Sequence, residues 1–359
     1  MHTTKLVIAS LTFALFAAPA VAKPFTDLWV FGDSSVDAGS FRVAPYTGDS
    51  YVDFYLAPTE PRGKTGFEKW GIGKPTSSPG PMNSEELATL LGVTASPQNQ
   101  RGTNYAFSGA RNAIPNTPCP VSNCGFPNAI PTTQQIANFL KRNKPNKTEL
   151  FYISSGGNDV TYAVNEITED PPPPANTCGP NAQTYLTTAA QQLANAIKSL
   201  QQQGAKYIMV ATRGAASADS TLDACKIFYQ TTIFNDLEAL NVVYVLGGRG
   251  FNPLIQSEPS TFGIDLSAGP ACTPVPPNIN IAYALVCSPK SPATEDLAPS
   301  LITSLEADDQ HFATPAQVAL GNYYYCLALF SWPSLFVHDR PRLPYECSVF
   351  SSIIPYTGP

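Results

Sequence analysis

Charge is scarce in this sequence. Asp, Glu, Lys and Arg make up 13% of the chain, about half the ~25% of an ordinary soluble domain. The 21 basic residues are outnumbered by 27 acidic ones, for a net charge of −6. That balance excludes the basic face a nucleic-acid binder needs and the polybasic patch that holds a protein on anionic lipid. Histidine is scarcer still: of 3 in the chain, His2 falls in a leader-like segment, leaving His311 and His338. No Cys-x-x-Cys pair occurs, so neither a zinc site nor a dithiol redox centre is expected, and no metal or cofactor is implied. The apolar run at the N-terminus is too short, and too quickly followed by polar sequence, to be a membrane anchor, and no later stretch is long and apolar enough to span a bilayer. There is no internal repeat and no linker between separate cores.

What is present points outward from the cell. Residues 1–22 carry Lys5, an apolar stretch from Leu6 to Phe16 and the small-residue run Ala20-Val21-Ala22. This is the pattern of a cleavable secretion signal, with a mature chain from about Lys23. All 8 cysteines lie beyond it, an even number that reads as disulfides in a secreted protein. Short loop closures favour Cys119–Cys124, Cys272–Cys287 and Cys326–Cys347, with Cys178–Cys225 by elimination. The 35 prolines are roughly twice the usual share, so long ordered loops should decorate a compact centre. The sequon at Asn146 permits glycosylation in a eukaryotic host.

The chain is organised around Leu28 to Ser35. Leu28-Trp29-Val30-Phe31 reads as a buried strand of a parallel sheet, and Gly32-Asp33-Ser34 follows at once. A hydroxyl placed there sits at the carboxyl end of a strand, where open α/β sheets bind ligands. Further short strands are expected at 103–107, 150–153, 207–211 and 242–246. Helices are expected at 83–91, capped by Asn83 with Glu86 as the capping-box partner, and at 132–142, 182–202 and 224–240. A last helix runs to about Phe330, with Thr314 as cap, Pro315 as first residue and Gln317 as capping-box partner. The aromatic-rich stretch from Ser40 to Pro81 either packs on the core or walls a cleft. The polar turn 154–159 and the Pro-rich stretches 166–180 and 247–300 read as loops. A second Gly-Asp-Ser, at 48–50, has no apolar run before it and so no strand to present Ser50.

Four separated pieces resemble the sequence blocks of the GDSL-type esterases and lipases, the SGNH hydrolase superfamily. They are Val30 to Gly39, Gly102 to Ala110, Gly156-Gly157-Asn158-Asp159 and Asp308-x-x-His311. The resemblance spans nearly the whole mature chain. It implies a flavodoxin-like three-layer α/β/α sandwich with a central parallel sheet of about five strands, in a hydrolase domain over 23–330 with a C-terminal extension over 331–359 packed on it. It implies a serine esterase: Ser34 as nucleophile, His311 as general base and acid, Asp308 as its orienting carboxylate. The Ser34 and Gly109 backbone N–H groups and the Asn158 amide would form the oxyanion hole. Departures are Ser35 for leucine, Ser108 for a common glycine and Phe312 for a common proline.

These roles also follow from chemistry. A serine hydroxyl needs a base to take its proton, histidine does this near neutrality, and a carboxylate fixes its tautomer. Neutral, prepositioned donors then meet the charge on the tetrahedral intermediate. The plainer readings make Gly109 a turn glycine, Asn158 a strand-end cap, Asp33 a turn-former and His338 a solvated residue. Asp309 competes with Asp308 for the acid, and the family spacing favours Asp308. The substrate would be a small-molecule or lipid ester, or an acetylated sugar if the chain is a carbohydrate O-acetyl esterase. A non-catalytic binding protein on a hydrolase scaffold is the alternative of a different class.

Overall fold

Alternate residues of four buried strands face opposite ways, and this divides the core in two. The computed structural model describes residues 23–58, 60–77, 79–113, 126–212, 220–272, 283–291, 302–308, 310–336 and 343–353. The expected leader, the Cys119–Cys124 bridge, Asp309 and His338 lie outside the described residues.

In chain order the elements are β1 (Leu28–Gly32), α1 (Ser50–Leu56), α2 (Gly66–Trp70), α3 (Asn83–Leu90), α4 (Thr132–Leu140), β2 (Leu150–Ser154), α5 (Gly157–Asn165), α6 (Pro180–Gln202), β3 (Tyr207–Thr212), α7 (Thr221–Leu237), β4 (Val243–Leu246), α8 (Gly247–Ser257) and α9 (Thr314–Ser331). The strands form one parallel sheet in the order β1-β2-β3-β4. Leu28, Val30, Leu150, Tyr152, Met209 and Val245 pack on α3, α8 and α9. Phe31, Phe151, Ile153, Ile208, Val210 and Tyr244 pack on α4, α5, α6 and α7. Burial on both faces explains why the strands are continuous apolar runs rather than alternating ones.

Among the described residues four strands stand where about five were expected, and the reason lies in a side chain. The segment 103–107 does run along the free edge of β1: Tyr105 N–H donates to Val30 C=O (2.7 Å), Phe107 N–H to Gly32 C=O (3.1 Å) and Val30 N–H to Thr103 C=O (3.1 Å). But Gly32 N–H donates to Gln135 Oε1 (2.8 Å) instead of to that segment, and Ala106 N–H turns back to Asn104 Oδ1 (3.0 Å). The ladder is reduced to an isolated bridge, Val30 to Asn104. The chain therefore leaves β1 to one side, then returns to place β2 on the other. That reversal opens a crevice at the carboxyl ends of β1 and β2, where doubly wound folds bind ligands.

Other expectations shift as well. Met82, not Asn83, precedes the first residue of α3, and Glu85 rather than Glu86 accepts its N–H (2.9 Å). α9 begins at Thr314 after Ala313, and Gln317 makes no capping box. Its Oε1 instead accepts from Asn83 Nδ2 (2.6 Å), joining α9 to α3. The polar turn after β2 becomes α5, and α8 occupies the start of the Pro-rich stretch. Disulfides join Cys178–Cys225, Cys272–Cys287 and Cys326–Cys347, as their spacing suggested. The last of these ties the C-terminal segment to α9, beside a bond from Asn322 Nδ2 to Tyr345 C=O (2.7 Å). Phe41, Val52, Leu56 and Ile72, from the aromatic-rich stretch, form their own small cluster with Leu285 and Val286, flanked by Tyr46, Tyr55 and Trp70. No helix among the described residues is long and apolar enough to cross a membrane.

Candidate active site

Ser34 is presented by a turn that the end of β1 cannot avoid. A side chain at Gly32, whose φ is +146°, would run into the Ser154 carbonyl oxygen, so only glycine lets β1 and β2 stay paired there. Asp33 N–H then donates to that same carbonyl (3.1 Å). The Asp33 carboxylate turns back on the chain, its Oδ1 accepting from Ser35 N–H (2.9 Å) and Ser35 Oγ (2.7 Å). It shapes the turn, as the plainer reading had it. The other Gly-Asp-Ser differs in kind: its Ser50 is exposed and opens α1.

His311 arrives from the far end of the chain. Residues 305–307 pair antiparallel with 311–313, with Glu306 bridged to Phe312 and Ala307 N–H donating to His311 C=O (2.6 Å). Asp308 Oδ1 accepts the backbone N–H groups of Gln310 (2.9 Å) and His311 (2.7 Å), while Oδ2 accepts that of Ala284 (3.0 Å). The His311 Nδ1 lies 2.9 Å from Oδ1 and 3.0 Å from Oδ2. On the opposite side of the ring, Nε2 is 2.8 Å from Ser34 Oγ. With Nδ1–H donated to the carboxylate, Nε2 is the nitrogen left to accept the serine proton. Burial by itself raises the Asp308 carboxyl. The His311 imidazole and the surrounding N–H donors outweigh it and hold the group at about 2.

The loop is pinned where it runs into α9. Thr76 Oγ1 donates to Phe312 C=O (3.0 Å), and Thr314 N–H donates to Ser77 Oγ (2.8 Å). Asn83 Nδ2 donates both to Ser35 C=O (2.7 Å) and to Gln317 Oε1, while its Oδ1 accepts from Tyr152 OH (2.9 Å). One asparagine thus links the serine turn to β2 and to the helix that follows the histidine. Nothing in the spacing of the sequence pointed to Asn83 or Gln317 in that role.

A cleft of about 340 Å³ opens over this line of residues, lined by Ser34, His311, Ser155, Asn158, Thr161 and Lys226 among others. Asn158 sits in the first turn of α5, and its Nδ2 donates to Ala110 C=O (2.9 Å). An amide has two N–H donors, so this bond fixes the side chain through one of them. Gly109 is buried in the adjoining turn, with φ +79°, and does not itself line the cleft. A second, smaller cavity of about 40 Å³ lies on the α9 side of His311, walled by Tyr152, Phe251, Phe312, Leu320 and Tyr324. None of the described aromatic side chains of the 40–81 stretch lines either space. Among the described residues no group of three or more His, Cys, Asp or Glu side chains is placed to hold a metal ion.

No protein-family model matches the chain. Among curated proteins, it is 28% identical over 215 residues to an uncharacterised protein of the trpE–trpG intergenic region of Pseudomonas putida, matching 57% of this chain and 31% of that protein. The chain thus spans about a third of that relative's length. Among solved structures it is similar to two variants of Axe2 from Geobacillus stearothermophilus. One is described as an acetylxylan esterase (13% identity, TM-score 0.37), the other as an acetyl-xylooligosaccharide esterase (14%, 0.38). Each match covers 66% of this chain and 82% of the other. At those scores the likeness decides nothing about activity.

Proposed function

We propose that this protein is a secreted hydrolase of carboxylic esters that works through a Ser34–His311–Asp308 triad and an acyl-enzyme. The observation that carries this reading is the continuous line from Asp308 through His311 to Ser34, with ring contacts of 2.9 Å and 2.8 Å. Ser34 Oγ attacks the ester carbonyl as His311 Nε2 takes its proton. The tetrahedral oxyanion forms against the Ser34 and Gly109 backbone N–H groups and the Asn158 amide. His311 then protonates the departing alcohol, leaving the acyl group on Ser34. Water attacks that acyl group, giving its proton to His311, and the acid leaves as Ser34 regains a proton. Asp308 stays ionised throughout and stabilises the imidazolium.

The disulfides, formed in oxidising compartments, together with the leader-like segment, support secretion. The cleft's polar lining at Ser155, Asn158, Thr161, Asn165 and Lys226 favours an ester of a polar alcohol, and so gives the sugar O-acetyl esterase reading its place beside a simple short-acyl esterase. The test is a panel of p-nitrophenyl esters from acetate upward, run beside acetylated xylan and a phospholipid. Mass spectrometry after a fluorophosphonate probe should find the label on Ser34. A folded protein that takes no label and cleaves no ester would return the scaffold to a binding role.

A further inference from the structure

One buried carboxylate reaches two parts of this site that are far apart in sequence. Asp37 lies three positions after Ser34 and is 1% exposed. Its Oδ1 accepts the backbone N–H groups of Gly39 (2.8 Å) and Ser40 (2.7 Å). Its Oδ2 accepts Ser40 Oγ (2.7 Å), Ser108 N–H (2.8 Å) and Ser108 Oγ (2.7 Å). Five donors on one buried carboxylate are enough to keep a desolvated group in a single orientation. The two sets come from different segments: the turn that follows the nucleophile, and the turn that carries Gly109.

The second segment is anchored at alternate residues. Ser108 is held by Asp37, Ala110 by Asn158 Nδ2 (2.9 Å), and Asn112 N–H by Asp159 Oδ2 (2.9 Å). Gly109 sits between the first two anchors. We infer that Asp37 is a positioning residue that sets the distance between the Ser34 and Gly109 backbone donors, acting through the Ser108 N–H and hydroxyl. This rests on the esterase reading above. A donor displaced by a fraction of an ångström loses most in the transition state, where the charge on the oxyanion is fully developed. Asp37 touches no substrate. Its effect belongs in kcat, with KM little changed.

Ser108→Ala is the informative variant, because it removes one hydroxyl and leaves the Ser108 N–H bond to Asp37 in place. Activity is measured on p-nitrophenyl acetate and divided by the number of sites titrated with a fluorophosphonate, so that misfolded protein does not count. The expected result is a fall in kcat per site of about fivefold to tenfold, less than the full value of one bond to a charged group because the Ser108 N–H still holds Asp37, with KM within about twofold. Affinity for a trifluoromethyl ketone, a mimic of the tetrahedral intermediate, should fall by the same factor. Asp37→Asn turns an acceptor toward Ser108 into a donor, and where it folds its kcat per site should fall further, by about a hundredfold. Unchanged kcat per site in Ser108→Ala, or a loss confined to thermal stability, would overturn the inference and leave the esterase reading standing. Wild-type protein that neither labels nor turns over would instead remove that reading.

Discussion

The serine and the histidine of this site are held by different kinds of structure. Ser34 hangs from the end of β1, which is paired along its length to β2 and tied to it again through Asp33 N–H and the Ser154 carbonyl. His311 has no strand of the main sheet beneath it. Its loop is held instead by Asp308, by the Thr76 and Ser77 contacts, and by a chain segment stapled through Cys272–Cys287. Ala271 N–H donates to Glu306 C=O (2.8 Å) and Cys272 N–H to Ala307 C=O (2.7 Å). The serine limb therefore depends on the core, and the histidine limb on bonds that can be cut without disturbing the core.

The comparison breaks most sharply at Ser34 itself. Ser34→Ala should lower kcat by about 10⁴-fold or more and leave the melting temperature within a degree or two, since the turn is built by Gly32 and Asp33. Residual activity near wild type would place the nucleophile elsewhere. Next in size is Asn158→Ala, with an expected loss of about 10²–10³-fold in kcat and a much smaller change in KM. A rise in KM at constant kcat would make Asn158 a substrate contact rather than a donor to the transition state.

Opening the Cys272–Cys287 bridge probes the histidine limb alone. A closed loop of 15 residues contributes on the order of 3 kcal/mol. In Cys272→Ser/Cys287→Ser, activity should be lost on heating before the far-ultraviolet circular dichroism of the sheet and its flanking helices changes. Loss of both signals together would mean that the two limbs unfold as one unit.

How much of this was legible in the sequence follows the same division. The four apolar runs that became β1 to β4 could be read because burial on both faces leaves only one kind of residue there. Two disulfides, Cys272–Cys287 and Cys326–Cys347, followed from short loop closure, and Cys178–Cys225 by elimination. Ser34 could be told from Ser50 by the apolar run before it, and His311 by the short list of histidines; their proximity is a fact of the fold, and their roles are proposed. What could not be read was fixed by partners distant in sequence. Gln135 removes a rung that would have made 103–107 a strand. Gln317 turns its amide oxygen to Asn83 Nδ2, 234 positions away, and closes no capping box. Asp37 reads as one more polar residue in a turn until Ser108 is seen bonded to it, and α8 hides behind a proline at 253.

The smallest effect separates the limbs by pH. The Asp308 carboxyl is held at about 2, against an ordinary 3.8. A folded-state value below the unfolded one means that the stabilisation is complete above about pH 4 and is lost as the pH falls through about 2, amounting to about 2 kcal/mol. Burial shifts the Asp37 and Asp159 carboxyls the other way, Asp159 to about 7, so those groups take up protons more readily in the folded state than in the unfolded one and oppose the loss. Urea unfolding from pH 5 to pH 2 on wild type and Asp308→Asn isolates the difference: the variant should lose about 2 kcal/mol less across that window. Parallel curves would show that the Asp308–His311 pair contributes nothing to holding the loop. The loop would then be fixed by its backbone bonds to Ala271 and Cys272, with Asp308 left only the task of orienting the imidazole.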